Sequence, residues 1–217
     1  SRNTWNGLSD FGRKVVREMN KIGMMIDVSH CTDKTFYDIL KITNKPLVAT
    51  HSSPRKFTPN FERNMSDNMI KDLANNNGLI MLNFGSGFIS EQSNKSLGDI
   101  NSKVEKYKIE NNLEDSDKKL LKYKDDLINS VKPFASINDF IDTIDYVKEL
   151  VGIDHIGLGS DFEGLGNTLP YDLKDASTYP NILYNLLERE YSEIEIKKIC
   201  SDNLFRVWNA NLQNRQI

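Results

Sequence analysis

Apolar positions along the chain alternate between two rhythms, and the alternation recurs as a unit. Over 8–22, Phe11, Val15, Val16, Met19 and Ile22 recur at helical spacing and predict one apolar face. Gly23 suits the cap that closes such a helix. The run Met24-Met25-Ile26-Asp27-Val28-Ser29 follows and ends at His30. Thr32 is an N-cap candidate for a second helix with Phe36, Ile39 and Leu40, and after Pro46 the run Leu47-Val48-Ala49-Thr50 ends at His51. A third helix after Ser66 carries Met69, Ile70 and Leu73; beyond Gly78, Leu79-Ile80-Met81-Leu82 ends at Asn83. A fourth opens on a capping box of Ser136 and Asp139 and keeps its period from Ile137 to Leu150. Gly152 closes it, and Ile156-Gly157-Leu158-Gly159-Ser160 leads to Asp161. Two further helices are predicted over 180–189 and 192–208, the second with a Ser192/Glu195 capping box.

Strands that are apolar almost throughout are buried on both faces, as in a parallel sheet covered by helices. Alternating helix and strand therefore predicts an α/β fold. In such folds chemistry gathers at the C-terminal ends of the strands. Here those ends read His30, His51, Asn83 and Asp161.

Residues 91–132 break the rhythm. They hold nine acids and nine bases around sparse apolar positions such as Leu120, Leu121, Leu127, Ile128 and Val131. The expectation is a solvated helical insertion within one domain spanning 1–217; the alternative is a lid or a subunit contact.

Composition narrows the partners. The 217 residues include 38% hydrophobic side chains, enough for a core, and carry a formal net charge of −3. That balance offers no cationic face for nucleic acid, and no run approaches the roughly 18 apolar residues of a membrane segment. Cys31 and Cys200 cannot build a disulfide framework, which points to a reducing compartment and a cytoplasmic location. The opening residues show no secretory-leader pattern. The Asn64 and Asn94 sequons are read as chance in an Asn-rich sequence. A start at Ser1 that enters a helical pattern almost at once is expected of a piece of a longer protein.

Three histidines are present. His30 and His51 lie one helix–strand unit apart, so adjacent parallel strands would turn both imidazoles into one mouth, a half-site for zinc. The alternative is that each bonds a backbone group at its strand end. His155, ahead of the last strand, reads as structural. Asp161 suits a metal ligand, a proton carrier to a leaving amine, or a turn cap. Arg63, in the polar loop Asn60-Phe61-Glu62-Arg63-Asn64, either grips a substrate carboxylate through paired hydrogen bonds or is an exposed surface arginine. Ser52 and Ser53 beside His51 do not make a nucleophilic triad by adjacency alone. Gly157 and Gly159 are not a dinucleotide loop, because the sixth place of that pattern is Phe162.

Several segments in one order resemble the membrane (renal) dipeptidase family of zinc peptidases. They are 11–20, Ile26-Asp27-Val28-Ser29-His30, Thr50-His51-Ser52-Ser53, Arg63-Asn64, Gly157-Leu158-Gly159-Ser160-Asp161-Phe162, 175–180 and 202–207. The resemblance implies a (β/α)8 TIM barrel of the metal-dependent hydrolase type that cleaves dipeptides. It implies that His30 and His51 hold one zinc of a pair, and that Arg63 binds the substrate's terminal carboxylate. By the same resemblance Asp161 contacts the substrate's amino end and serves proton transfer, while a hydroxide bridging two zincs attacks the carbonyl.

The family's first-strand His-x-Asp pair, bridging glutamate and a further substrate-contacting histidine have no counterpart here. The chain therefore resembles the later half of the barrel, about strands five to eight. Half a barrel leaves sheet edges open, and two histidines are fewer protein ligands than a catalytic zinc takes. The expectation is a site completed by an upstream segment or another chain, with a homodimer as one form of that partner. The alternatives are a non-catalytic binding module on a barrel that has lost activity, or an amidohydrolase acting on a non-peptide substrate.

Overall fold

The computed structural model describes residues 5–213; the opening Ser1 to Thr4 lies outside them. In chain order come α1 (Asp10–Ile22), α2 (Asp33–Leu40), β1 (Val48–Ser52), α3 (Asp67–Asn75) and β2 (Leu79–Asn83). Next are α4 (Ser86–Ile89), α5 (Glu91–Glu110), α6 (Lys118–Val131), α7 (Ile137–Val151) and β3 (Ile156–Gly159). Last are α8 (Phe162–Leu165), α9 (Tyr179–Glu188), α10 (Glu193–Lys197) and α11 (Asn203–Leu212). The helix starts follow from single side chains. Ser9, Thr32, Ser66, Ser136 and Ser192 each accept a hydrogen bond from the backbone N–H three residues on. Gly23, at φ 79°, closes α1 in the left-handed conformation that favours glycine.

The three strands form one parallel sheet in the order β1-β2-β3. Ala49, Ile80, Leu82 and Ile156 are buried in one core with Ile70 and Leu73 of α3 and Phe140 and Ile144 of α7, while Val48 and Leu79 pack with Val207 of α11 in a second, smaller cluster. Phe84, just past β2, packs edge-on against Phe140 at 4.5 Å and Phe162 at 5.7 Å, and lies tilted at 5.6 Å from Tyr179. This aromatic knot ties the end of β2 to the segment after β3.

Three expectations need correction. The run 24–29 is not a full strand. Ile26 to Val28 lies beside β1 through an Asp27–Val48 bridge, with Val28 N to Val48 O at 2.9 Å and Val48 N to Ile26 O at 3.1 Å. The ladder stops because the next donor, Thr50 N, bonds the Asp27 carboxylate at 3.0 Å. The second concerns 192–208, which is divided by a π-helical turn over Lys198–Asp202. That turn precedes Asn203, whose Nδ2 donates to the carbonyls of Ile153 and Ile156 at 2.8 Å each, at the start of β3. Third, the apolar face of α1 is largely outward: Val16 is buried, while Phe11 is 75% and Ile22 41% exposed.

Residues 91–132 do form helices, α5 and α6, with Tyr107 and Tyr123 stacked at 4.1 Å between them. Among the described residues no helix is long and apolar enough to cross a membrane.

The Ser192/Glu195 box also anchors α10 to α7. Glu195 bonds Lys148 Nζ at 2.6 Å and accepts from Ser192 N at 3.0 Å. The Lys148 hydrogen bond and then the Ser192 N–H hold its carboxyl down to about 2, against an ordinary 4.5. A depressed folded-state pKa gives stability that is present above 4.5 and lost as pH falls toward 2, because the unfolded chain takes up the proton first. Glu195→Gln is expected to cost about 1 kcal/mol at neutral pH, with the gap to wild type closing between pH 5 and 2. Urea midpoints measured across that range check it; a gap independent of pH would refute it.

Candidate metal centre

β1 delivers His51 through an irregularity. Val48 pairs with Leu79 and Ala49 with Ile80, but Ser52 pairs with Leu82, so Thr50 and His51 together oppose the single residue Met81. Such a bulge re-aims a side chain. Room for it comes from Gly159 on β3, where a Cβ would lie 2.2 Å from Thr50 O and 3.1 Å from His51 Cα.

His30 follows the Ile26–Val28 segment and is held short of α2 by the Thr32 cap. Its Nε2 lies 2.9 Å from His51 Nε2, with ring centroids 5.0 Å apart. Arg63 closes the group. It donates from Nη1 to Ser52 Oγ and from Nη2 to His51 O, both at 2.9 Å, and Nη2 lies 3.3 Å from His30 Nε2. Its guanidinium also sits 5.4 Å from the centre of the Phe88 ring. Asp161, directly beyond Ser160 at the end of the β3 run, is left-handed at φ 56° and accepts from Asn83 Nδ2 at 3.0 Å. Asn83 is fully buried and its Oδ1 is taken by Gly85 N at 2.7 Å, so the amide can only present its NH2 to Asp161. His30, His51 and Arg63 are thus in mutual contact, and the charge of Asp161 acts on both His30 and Arg63.

The charges fit this crowding. Desolvation, then the Arg63 and His51 charges, pull His30 below its ordinary pKa and favour neutral imidazole, the metal-binding form. Arg63 is lowered by burial, against the pull of Asp161 and Asp27. Desolvation raises Asp27, but hydrogen bonds from Thr50 and Ser29 outweigh it and keep the carboxylate low. His155 lies elsewhere, its Nδ1 bonded to Gly78 O at 2.9 Å. Ser52 Oγ accepts from Arg63 and Ser53 Oγ donates to Asn83 O at 3.3 Å, so neither is paired with a base.

Two nitrogens that face each other at 2.9 Å need a proton or a cation between them. A metal bonded at about 2.0–2.1 Å to both, at a tetrahedral angle, holds them roughly 3.3 Å apart. Opening the observed 2.9 Å pair by about 0.4 Å would accept it. The donor set is right for zinc but incomplete: among the described residues no three His, Cys, Asp or Glu side chains converge.

A family model described as membrane dipeptidase (Peptidase family M19) matches residues 1–216. The chain belongs to the membrane dipeptidase family. It is 32% identical over 202 residues to dipeptidase tcpJ of Claviceps purpurea (strain 20.1), covering 93% of this chain and 38% of that protein. The crystal structure of the probable dipeptidase PvdM from Pseudomonas aeruginosa matches with a TM-score of 0.79 and 26% identity, over 99% of this chain and 57% of that one. A metallo peptidase from Rhodobacter sphaeroides, liganded with a phosphinate mimic of the dipeptide L-Ala-D-Ala, matches at 0.72 with 25% identity. That match covers 97% of this chain and 49% of the other. This membrane dipeptidase family chain therefore spans well under two thirds of the length of each of these relatives.

In it, sequence reasoning missed two side chains that build the site. Asp27, read as part of a strand, organises Thr50 and Ser29; a charge inside an otherwise apolar run was the available signal. Arg55 pins the loop on both sides of Arg63, through Nε to Asn64 O at 2.8 Å and Nη2 to Glu62 O at 3.3 Å. A bidentate pair to Asp33, at 2.9 and 2.6 Å, holds Arg55 itself.

Proposed function

We propose that the chain is the later half, about strands five to eight, of a single zinc-dependent (β/α)8 dipeptidase barrel domain, with 91–132 inserted in it. The site then cleaves dipeptides once the earlier half is supplied, by the same protein or by another chain. The observation that carries the reading is the His30–His51 nitrogen pair with Arg63 beside it at the strands' C-terminal end. The open edges support the half-barrel. Among the described residues, nothing pairs beyond Ile26–Val28 on one side or β3 on the other. Phe11, Ile22 and Met24, ahead of the Ile26–Val28 segment in the chain, stand exposed, as do Phe205, Trp208 and Leu212 on α11, which packs against β2 and β3.

His30 and His51 would hold zinc, two ions serving the complete site, and zinc there supplies Lewis-acid activation of water and of the scissile carbonyl. Arg63 binds the terminal carboxylate; its Nε–H has no acceptor among the described residues. Asp161, fixed by Asn83, meets the substrate's amino end, and would take a proton from the attacking water and pass it to the leaving amine. The two residues, one cationic and one anionic, measure the length of a dipeptide. The dipeptide mimic bound to the Rhodobacter relative agrees with that substrate class.

The test is Arg63→Ala in the complete protein. Losing a charge-assisted, partly desolvated contact is expected to lower kcat/KM for dipeptides by about a hundredfold. C-terminally amidated dipeptides, poor substrates from the start, should lose far less. Equal losses on both would end the carboxylate assignment.

A further inference from the structure

The two histidines are not held alike. Among the described residues the His30 ring has no partner at Nδ1, whereas His51 is tied at both its ring and its backbone to one carboxylate. Thr50 Oγ1 lies 2.6 Å from Asp27 Oδ2 and 2.7 Å from His51 Nδ1. Ser29 Oγ donates to Asp27 Oδ1 at 2.7 Å and accepts from His51 N at 3.0 Å.

Thr50 has one hydroxyl hydrogen, and the network decides where it points. Asp27 Oδ1 already takes three donors: Ser29 N at 2.9 Å, Ser29 Oγ at 2.7 Å and Thr50 N at 3.0 Å. A carboxyl surrounded by donors acts as an acceptor only, so the Thr50 hydrogen goes to Oδ2. Thr50 Oγ1 must then accept from His51, and Nδ1 of that ring carries its hydrogen. The neutral imidazole is left with a bare Nε2, the atom that faces His30 at 2.9 Å. In the metal-free protein that lone pair takes a hydrogen bond from His30 Nε2–H.

We propose that Asp27, acting through Thr50, is a positioning residue that locks the His51 ring as its Nδ1–H tautomer and so presents Nε2 to the metal. This rests on the reading of His51 as a metal ligand. A ligand imidazole whose other nitrogen is anchored is oriented and made more basic. Here a hydroxyl is interposed between carboxylate and ring. His51 is then the preset ligand, and the untethered His30 is the one that shifts to open the pair.

The proposal makes opposite demands on two substitutions. Thr50→Val removes the relay and frees the ring to exchange tautomers. Asp27→Asn reverses it: the amide oxygen must stay with the three donors at the Oδ1 position, so the NH2 faces Thr50. The Thr50 hydroxyl then donates to its nearest acceptor, His51 Nδ1 at 2.7 Å, rather than to Ser29 Oγ at 3.4 Å, which moves the ring hydrogen to Nε2.

The experiment is nitrogen-15 NMR of the histidine rings in the complete protein, earlier half included and stripped of metal, with zinc titrated by calorimetry. Wild type and Thr50→Ser should show His51 as Nδ1–H. Thr50→Val should give a mixture, Asp27→Asn should give Nε2–H, and both should bind zinc about 10- to 100-fold more weakly. An Nε2–H ring in wild type, or an unchanged tautomer in Asp27→Asn, would overturn the proposal. If wild type holds the Nδ1–H ring yet takes up no zinc, the metal reading fails and the positioning chain stands.

Discussion

His51→Ala in the complete protein is expected to abolish tight zinc binding at this position and to cut dipeptide turnover by about ten-thousandfold, roughly 5.5 kcal/mol of barrier. The size follows from what the imidazole does. On the proposed reading its Nε2 is one of two nitrogens that would hold the metal; the pair stands 2.9 Å apart, and no third His, Cys, Asp or Glu among the described residues converges on it. On that reading zinc would supply the activation of water and of the scissile carbonyl, and without it Asp161 would have no proton to carry to a leaving amine. His30→Ala should lose comparable turnover yet retain a larger share of zinc affinity, because His51 keeps its anchor through Thr50. Metal content by mass spectrometry, taken beside kcat on one dipeptide, checks both. A His51→Ala enzyme with a full complement of zinc and wild-type turnover would remove this histidine from the metal centre. His51→Gln, which keeps a neutral polar group of similar reach, separates loss of the ligand from loss of the fold.

The neighbourhoods of His30, His51, Asn83 and Asp161 were legible from one rule, although His30 follows an isolated bridge rather than a full strand and His51 lies inside β1. An apolar run that stops at a polar residue marks the end of a buried parallel strand, and strand ends converge. Arg63 was legible only as a loop residue. What seats it is Arg55, and the Asp33 partner that holds Arg55 is 22 residues away in sequence and meets it only in the fold. Asp27 was hidden for a different reason. A carboxylate inside an apolar run reads as a flaw in a strand, whereas here it ends the ladder by bonding Thr50 N itself. The β1 bulge leaves no local mark either, because two residues opposing one is a property of pairing. The outward face of α1 obeyed the helical period but not the expected burial. Its Phe11 and Ile22 stand exposed, and periodicity cannot say whether the surface an apolar stripe needs lies in the same stretch of chain.

Gly159→Ala is expected to be the most damaging single methyl group in the chain, destabilising it by about 3 kcal/mol or more. A Cβ there would stand 2.2 Å from Thr50 O, 2.8 Å from Met81 O and 3.1 Å from His51 Cα. All three are backbone atoms, so no rotamer change relieves the contact. Gly159 also cannot retreat, since it is paired with Asn83 on β2, whose side chain is fully buried and bonded to Asp161 and Gly85 N. The strain must fall on the bulge. Pushing Thr50 and His51 outward lengthens the Asp27–Thr50–His51 chain, so zinc affinity should drop in whatever fraction still folds. Gly157→Ala is the control. Its new methyl would crowd Met81 Cγ, at 3.0 Å on a flexible side chain that can turn aside, and would sit at ordinary contact, 3.6 Å, from Leu79 Cδ1 and Cδ2, so it should cost about 1 kcal/mol or less. Urea unfolding of the two variants with zinc titration of each decides the matter, and equal stabilities would refute the close approach of β1 and β3 at Gly159. The contrast is also chemical: of two glycines two residues apart on one strand, the one beside the bulge makes room for the histidine, and the other does not touch it.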